Sequence, residues 1–170
     1  MSNSILSYMH YFKRLPYLFY FLVSFHFLAV GQAADSHQNL SKDKLALSGY
    51  DVVEYHNDTA VKGKAAFEST HQGGKYRFSS LKSKLLFEKN PEKYLPQYGG
   101  WCAYAMAYSG EKVPINPESF SIENGKLYLF YKTFFNDTKA KWTENTAALK
   151  EKADKNWINL LKTSKNENKN

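Results

Sequence analysis

"YRFSSLKSKLLFEKNPEKYL", Tyr76 to Leu95, reads as the arm of a strand running into a capped helix. Tyr76 and Phe78 alternate with Arg77, the period of a half-buried strand. Ser79 or Ser80 then offers a side-chain oxygen to the free amides of a helix start. Leu81, Leu85 and Leu86 follow on what the spacing predicts to be one helical face. Asn90-Pro91 ends the run, because proline cannot continue a helix.

Upstream, "AAFESTHQGGKYRFSS" reads as a hairpin, with Phe67 in one arm, Gly73-Gly74 at the turn, and Tyr76 and Phe78 in the other arm. Before it, "GYDVVEYH" predicts a strand at Val52, Val53 and Tyr55, since β-branched and aromatic residues suit a pleated surface. Downstream, "WCAYAMAY" predicts a short helix that begins after Gly100 and stops at Gly110. "FSIENGKLYLFY" is the clearest hairpin. Asn124-Gly125 is the favoured two-residue turn between Phe120/Ile122 and Leu127/Leu129/Tyr131. A long helix is expected over Phe134 to Leu161, with polar stretches that can split it. Strands, helix, helix, hairpin, helix is not a repeating βα order. The expected class is α+β, a small antiparallel sheet with packed helices. No glycine-rich phosphate loop follows a strand.

The chain has 170 residues, enough for one domain. Lys13 and Arg14, the apolar run Tyr17–Val30 and the small residues Gly31 and Ala33 describe a signal peptide over 1–33. The apolar run falls short of the ~20 residues that a spanning helix needs. The expected layout is then a linker at 34–44, a domain at 45–161 and a disordered basic tail at 162–170. The expected location is periplasmic or secreted, with no stable membrane span after processing. Removing two basic and no acidic residues takes the formal charge from +7 to +5. Only Arg77 then remains of the arginines, the usual readers of bases and phosphates, so no nucleic-acid partner is expected. One cysteine excludes an internal disulfide, and the fold must rest on an aromatic-rich core.

The segment Tyr76–Leu95 resembles the core of the YHS domain family. That family's pattern is an aromatic strand, Cys-Ser-x-x-Cys, a phenylalanine four residues on, and Asn-Pro-x-x-Tyr. Phe78, Ser80, Phe87, Asn90, Pro91 and Tyr94 stand in register with it. "GYD", "PQYGGWCAYAMA", "NPESFSIENGKLYLFY" and "ADKNW" are similar to an exported, single-domain branch. The resemblance spans roughly Leu45 to Trp157 and implies a YHS/TRASH-like core. In the metal-binding branch, three cysteines converge on one ion. The matching positions here are Glu54, Ser79 and Ser83, and hydroxyls are poor ligands for the soft ions that thiolates hold. The resemblance therefore implies a lost metal knuckle, with Ser79 and Ser83 as helix-cap and first-turn residues.

Cys102 remains as a candidate centre. A cysteine behind Gly99-Gly100 at a helix start sees unpaired amides, which favour thiolate. Met106 lies four residues on, and thiolate with thioether suits Cu(I). Cys102 and Met106 are thus the candidate metal pair, with copper as the candidate ion. Asp51 is a candidate to bind a cation or to hold Tyr98 or Tyr104 by hydrogen bond. Tyr98, Trp101 and Tyr104 are candidate walls of a small-ligand pocket, and Tyr108 extends the stripe. His56 and His71 read as surface histidines. The leading expectation is an exported YHS-like binding module for a small ligand or soft metal ion centred on Cys102. The alternatives are a thiol-dependent enzyme or redox protein using Cys102, and a structural or interaction module in which the cysteine is core. No Ser/His/Asp set is visible, so the reading leans away from an enzyme.

Overall fold

The computed structural model describes residues 37–167, so the signal peptide read at 1–33 lies outside the described residues. The class is α+β. The described strands form two hairpins: β1 (Lys64–His71) pairs with β2 (Gly74–Phe78), and β3 (Asn116–Glu123) pairs with β4 (Lys126–Phe130). Around them lie α1 (Leu81–Lys89), α2 (Pro91–Tyr94), α3 (Ala103–Tyr108), α4 (Thr138–Glu144) and α5 (Thr146–Glu167).

β4 organises the core. Its side chains alternate across the strand. Leu127 and Leu129 enter one cluster with Val52, Tyr55, Phe78 and Phe87. Tyr128 and Phe130 enter a second with Tyr98, Met106, Trp142 and Ala153. All four are buried, which explains why "LYLF" reads as a continuous apolar run rather than an alternating one. The segment 96–102 lies along β4 through parallel bridges, Pro96 to Leu127 and Cys102 to Leu129. The second hairpin turns at Asn124-Gly125, with φ of 51° and 72°.

Several local expectations change. The first hairpin turns at Gln72-Gly73, one residue early, with φ of 47° and 79°. Val52 and Val53 lie in a turn and Tyr55 in a 3-10 segment, Glu54–Asn57, instead of a strand. Their apolar side chains are buried all the same, and burial rather than β propensity fixes them there. On α1, Leu81, Leu85 and Leu86 face water at 54%, 56% and 39% exposure, while Ser83 and Phe87 point inward. The expected long helix starts at Thr138 and breaks at Asn145, leaving Phe134 and Phe135 outside it. α5 runs to Glu167, into the stretch read as a disordered tail.

The stretch read as a linker, as far as it is described, lies against the body. The Asn39 amide donates to the Gly99 carbonyl at 2.8 Å, and the Trp101 indole donates to the His37 carbonyl at 2.7 Å. A Cβ on Gly99 would stand 2.7 Å from the His37 carbonyl oxygen, and its φ is +60°. Glycine is required at this position by backbone crossing backbone.

Candidate functional site

The positions that match the family's metal knuckle, Glu54, Ser79 and Ser83, lie in two carboxylate–hydroxyl ties, Ser79 with Asp51 and Ser83 with Glu54. Asp51 is fully buried. Its Oδ1 accepts from the Val53 amide at 2.9 Å. Its Oδ2 accepts from the Ser79 amide at 2.7 Å and the Ser79 hydroxyl at 2.9 Å. Beside it the Ser83 hydroxyl donates to Glu54 Oε1 at 2.8 Å. The helix cap is Ser80, whose hydroxyl accepts from the Ser83 amide at 3.1 Å. Ser79, read above as cap, is instead the tie to Asp51. The hydroxyls of Ser79 and Ser83 are committed to carboxylates, and no thiolate or imidazole joins them in these contacts. This donor set does not fit a soft ion. Among the described residues, no group of three or more His, Cys, Asp or Glu side chains is placed to hold a metal.

Cys102 is the N-cap residue of α3 and is fully buried. Its amide donates to the Val113 carbonyl at 3.0 Å, so one backbone donor of the helix start is spent on a loop. Its Sγ accepts the Tyr131 amide at 3.3 Å and lies 3.4 Å from the Thr138 hydroxyl. The Thr138 hydroxyl in turn donates to the Tyr131 carbonyl at 2.8 Å. The sulfur thus closes the end of β4 where regular pairing stops. Met106 is also fully buried, one turn along, in the second core cluster.

The aromatic candidates separate. Tyr98 is buried and donates to Asp154 Oδ1 at 2.9 Å, so its partner is Asp154 and not Asp51. Burial, reinforced by that carboxylate, pushes the Tyr98 hydroxyl far above the ordinary tyrosine range and keeps it a donor. Trp101 precedes α3 and is half-buried. Tyr104 and Tyr108 stack at 5.9 Å, with Tyr104 partly buried against the second core cluster and Tyr108 78% exposed. His71 meets Glu92 at 3.1 Å on the surface. His56 is half-buried, edge-on to Tyr94, and burial, with Lys93 nearby, lowers its pKa. A small cavity of about 160 Å³ opens elsewhere, between residues 39–48 and Pro114-Ile115.

Sequence reasoning missed the Glu54–Ser83 tie, the Asp51–Ser79 tie and the Tyr131/Thr138 enclosure of Cys102. Each joins residues about 30 positions apart, and no local spacing signals it. No helix of the described residues is long and apolar enough to cross a membrane.

No curated protein and no solved structure matches the chain significantly. The YHS domain family profile matches residues 52–98, which include Glu54, Ser79, Ser83, α1, α2 and Tyr98 and begin one residue after Asp51. The YHS family includes metal-binding modules, and this stretch carries the family's aromatic and Asn-Pro framework without its thiolates. Over residues 52–98 this chain matches the YHS domain family.

Proposed function

We propose that the chain is an exported YHS interaction module in which Cys102 is a structural thiol and recognition takes place on the outer surface. The supporting observation is the setting of Cys102. A fully buried sulfur that accepts a strand-end amide and touches Thr138 is built into the fold. Such a thiol resists reagents, since attack requires an exposed thiolate.

The test is alkylation of folded protein from pH 5 to 10. Cys102 is expected to stay unreacted across that range and to react once denaturant unfolds the chain. Cys102→Ala is expected to cost about 1–2 kcal/mol, as the partly buried Tyr131 amide loses its acceptor. Rapid alkylation of the folded protein would favour a thiol-dependent enzyme or redox role. Stoichiometric Cu(I) binding lost in Cys102→Ser and weakened in Met106→Leu would restore the copper reading.

Export is the second part of the proposal, supported by the basic start, apolar run and small-residue exit of residues 1–33. The native protein is expected to begin near Ala34 on N-terminal sequencing. A native protein that retains Met1 would overturn it.

A further inference from the structure

Phe134 and Phe135 are each 94% exposed, the most exposed of the large apolar side chains among the described residues. They form the tip of a short, closed loop. Lys132 and Asp137 pair as an antiparallel bridge and as an ion pair at 3.0 Å. The Thr133 amide donates to the Asn136 carbonyl at 2.8 Å across the loop. The two rings meet edge to face at 4.9 Å and present the rest of their surface to water. Cross-loop bonds of this kind hold a tip in shape. They do nothing to shield it.

The surroundings are basic. Asp137 neutralises Lys132, and Lys139 follows in the first turn of α4 and Lys141 in its last. Neither is in an ion pair of the described residues. Their ammonium groups lie over the Phe120 and Tyr104 rings at 5.7 Å and 5.8 Å. The chain carries a formal +7, and +5 once residues 1–33 are removed.

We infer that the Phe134–Phe135 tip is a contact for an anionic lipid surface. The inference rests on the reading of the chain as an interaction module and gives that module its partner. Shape and area favour lipid over a second copy. Two phenylalanines contribute roughly 200 Å² each. Two tips meeting would bury about 800 Å² in total, short of the ~1,200 Å² of a stable interface. A bilayer interface asks only that a convex aromatic tip enter the headgroup zone. The nearby lysines attract anionic headgroups at the same time. The attachment is peripheral, weakened by salt and reversible.

The test is a full-length Thr133→Cys chain carrying an environment-sensitive dye at the introduced thiol, which is exposed where Cys102 is buried. Because the apolar run at Tyr17–Val30 can itself enter lipid, the contribution of the tip is read as the difference between this chain and the same labelled chain carrying Phe134→Ala and Phe135→Ala. With phosphatidylglycerol/phosphatidylcholine vesicles, its emission is expected to shift to the blue and brighten. Pure phosphatidylcholine vesicles are expected to give little change, and 0.5 M NaCl to weaken the response about tenfold. Phe134→Ala with Phe135→Ala is expected to lower partitioning about a hundredfold, roughly tenfold for each ring withdrawn from lipid. The melting temperature of that variant should not move, because neither ring is in the core. A dye response absent with anionic vesicles, or one that survives the double substitution, would overturn the inference. So would tip-dependent dimerisation by sedimentation without lipid, which would identify a second copy as the occupant. Failure of the interaction-module reading shows separately, as thiol reactivity or Cu(I) binding of the folded protein without vesicles.

Discussion

Asp51→Ala is expected to cost about 4 kcal/mol of folding stability. The substitution removes the only side-chain acceptor shown for three donors: the amides of Val53 and Ser79 and the Ser79 hydroxyl. A buried donor left unpaired costs about 1–3 kcal/mol, and a hydrogen bond to a charged group contributes about 1.5–3 kcal/mol. The three donors are not independent, so the total falls below the sum of separate deletions. A loss of that size is a large part of the ~5–15 kcal/mol that holds a domain folded. Asp51→Asn keeps one oxygen acceptor and is expected to cost about half as much. Ser79→Ala removes only the hydroxyl and is expected to cost about 1 kcal/mol. Urea unfolding of the three variants checks the order, with the slope unchanged and the midpoint falling from Ser79→Ala to Asp51→Asn to Asp51→Ala. A midpoint for Asp51→Ala close to that of the unsubstituted protein would show that the carboxylate does not tie the Val53 turn to Ser79, and would return it to the ligand candidates.

What the sequence disclosed follows a physical division. Features fixed by local chemistry were legible. Asn124-Gly125 adopts the positive φ pair that a two-residue hairpin turn demands, and Asn90-Pro91 closes α1. Features fixed by tertiary contact misled. The leucines of α1 point to water because Ser83, held by Glu54, and Phe87 take the inner face. A short helix carrying both kinds of residue cannot announce which side the core will choose. Val52, Val53 and Tyr55 have strand composition, but they are buried from a turn and a 3-10 segment. Cys102 shows the limit most clearly. Its place at a helix start was legible from Gly99-Gly100. Its burial was not, because Tyr131 and Thr138 close over it from far along the chain. A helix start favours thiolate only where the thiol meets water, and burial of Cys102 removes that condition.

Trp142→Ala is expected to destabilise both core clusters, by about 4 kcal/mol. Trp142 is fully buried, with its ring 5.4 Å from Tyr128 and 5.7 Å from Phe130, and its indole donates to Glu123 Oε1 at 2.8 Å. Truncating a buried aromatic to alanine costs about 3–5 kcal/mol, the transfer term plus the cavity. Trp142→Phe retains most of the ring contact and loses the indole donor, so it is expected to cost about 1–2 kcal/mol. The informative measurement is hydrogen exchange. Tyr128 and Phe130 face the Trp142 cluster, while Leu127 and Leu129 on the same strand face the cluster that contains Phe78 and Phe87. A strand cannot leave one core and stay in the other, because its alternating side chains are carried by one backbone. The slowest amides of β2 and α1 are therefore expected to lose protection in step with those of α4 and α5, and thermal unfolding to remain a single transition. Loss of protection confined to α3, α4 and α5, with β2 and α1 unchanged, would show that residues 52–98 form a core that holds without the second cluster, and that β4 is a boundary rather than a shared wall.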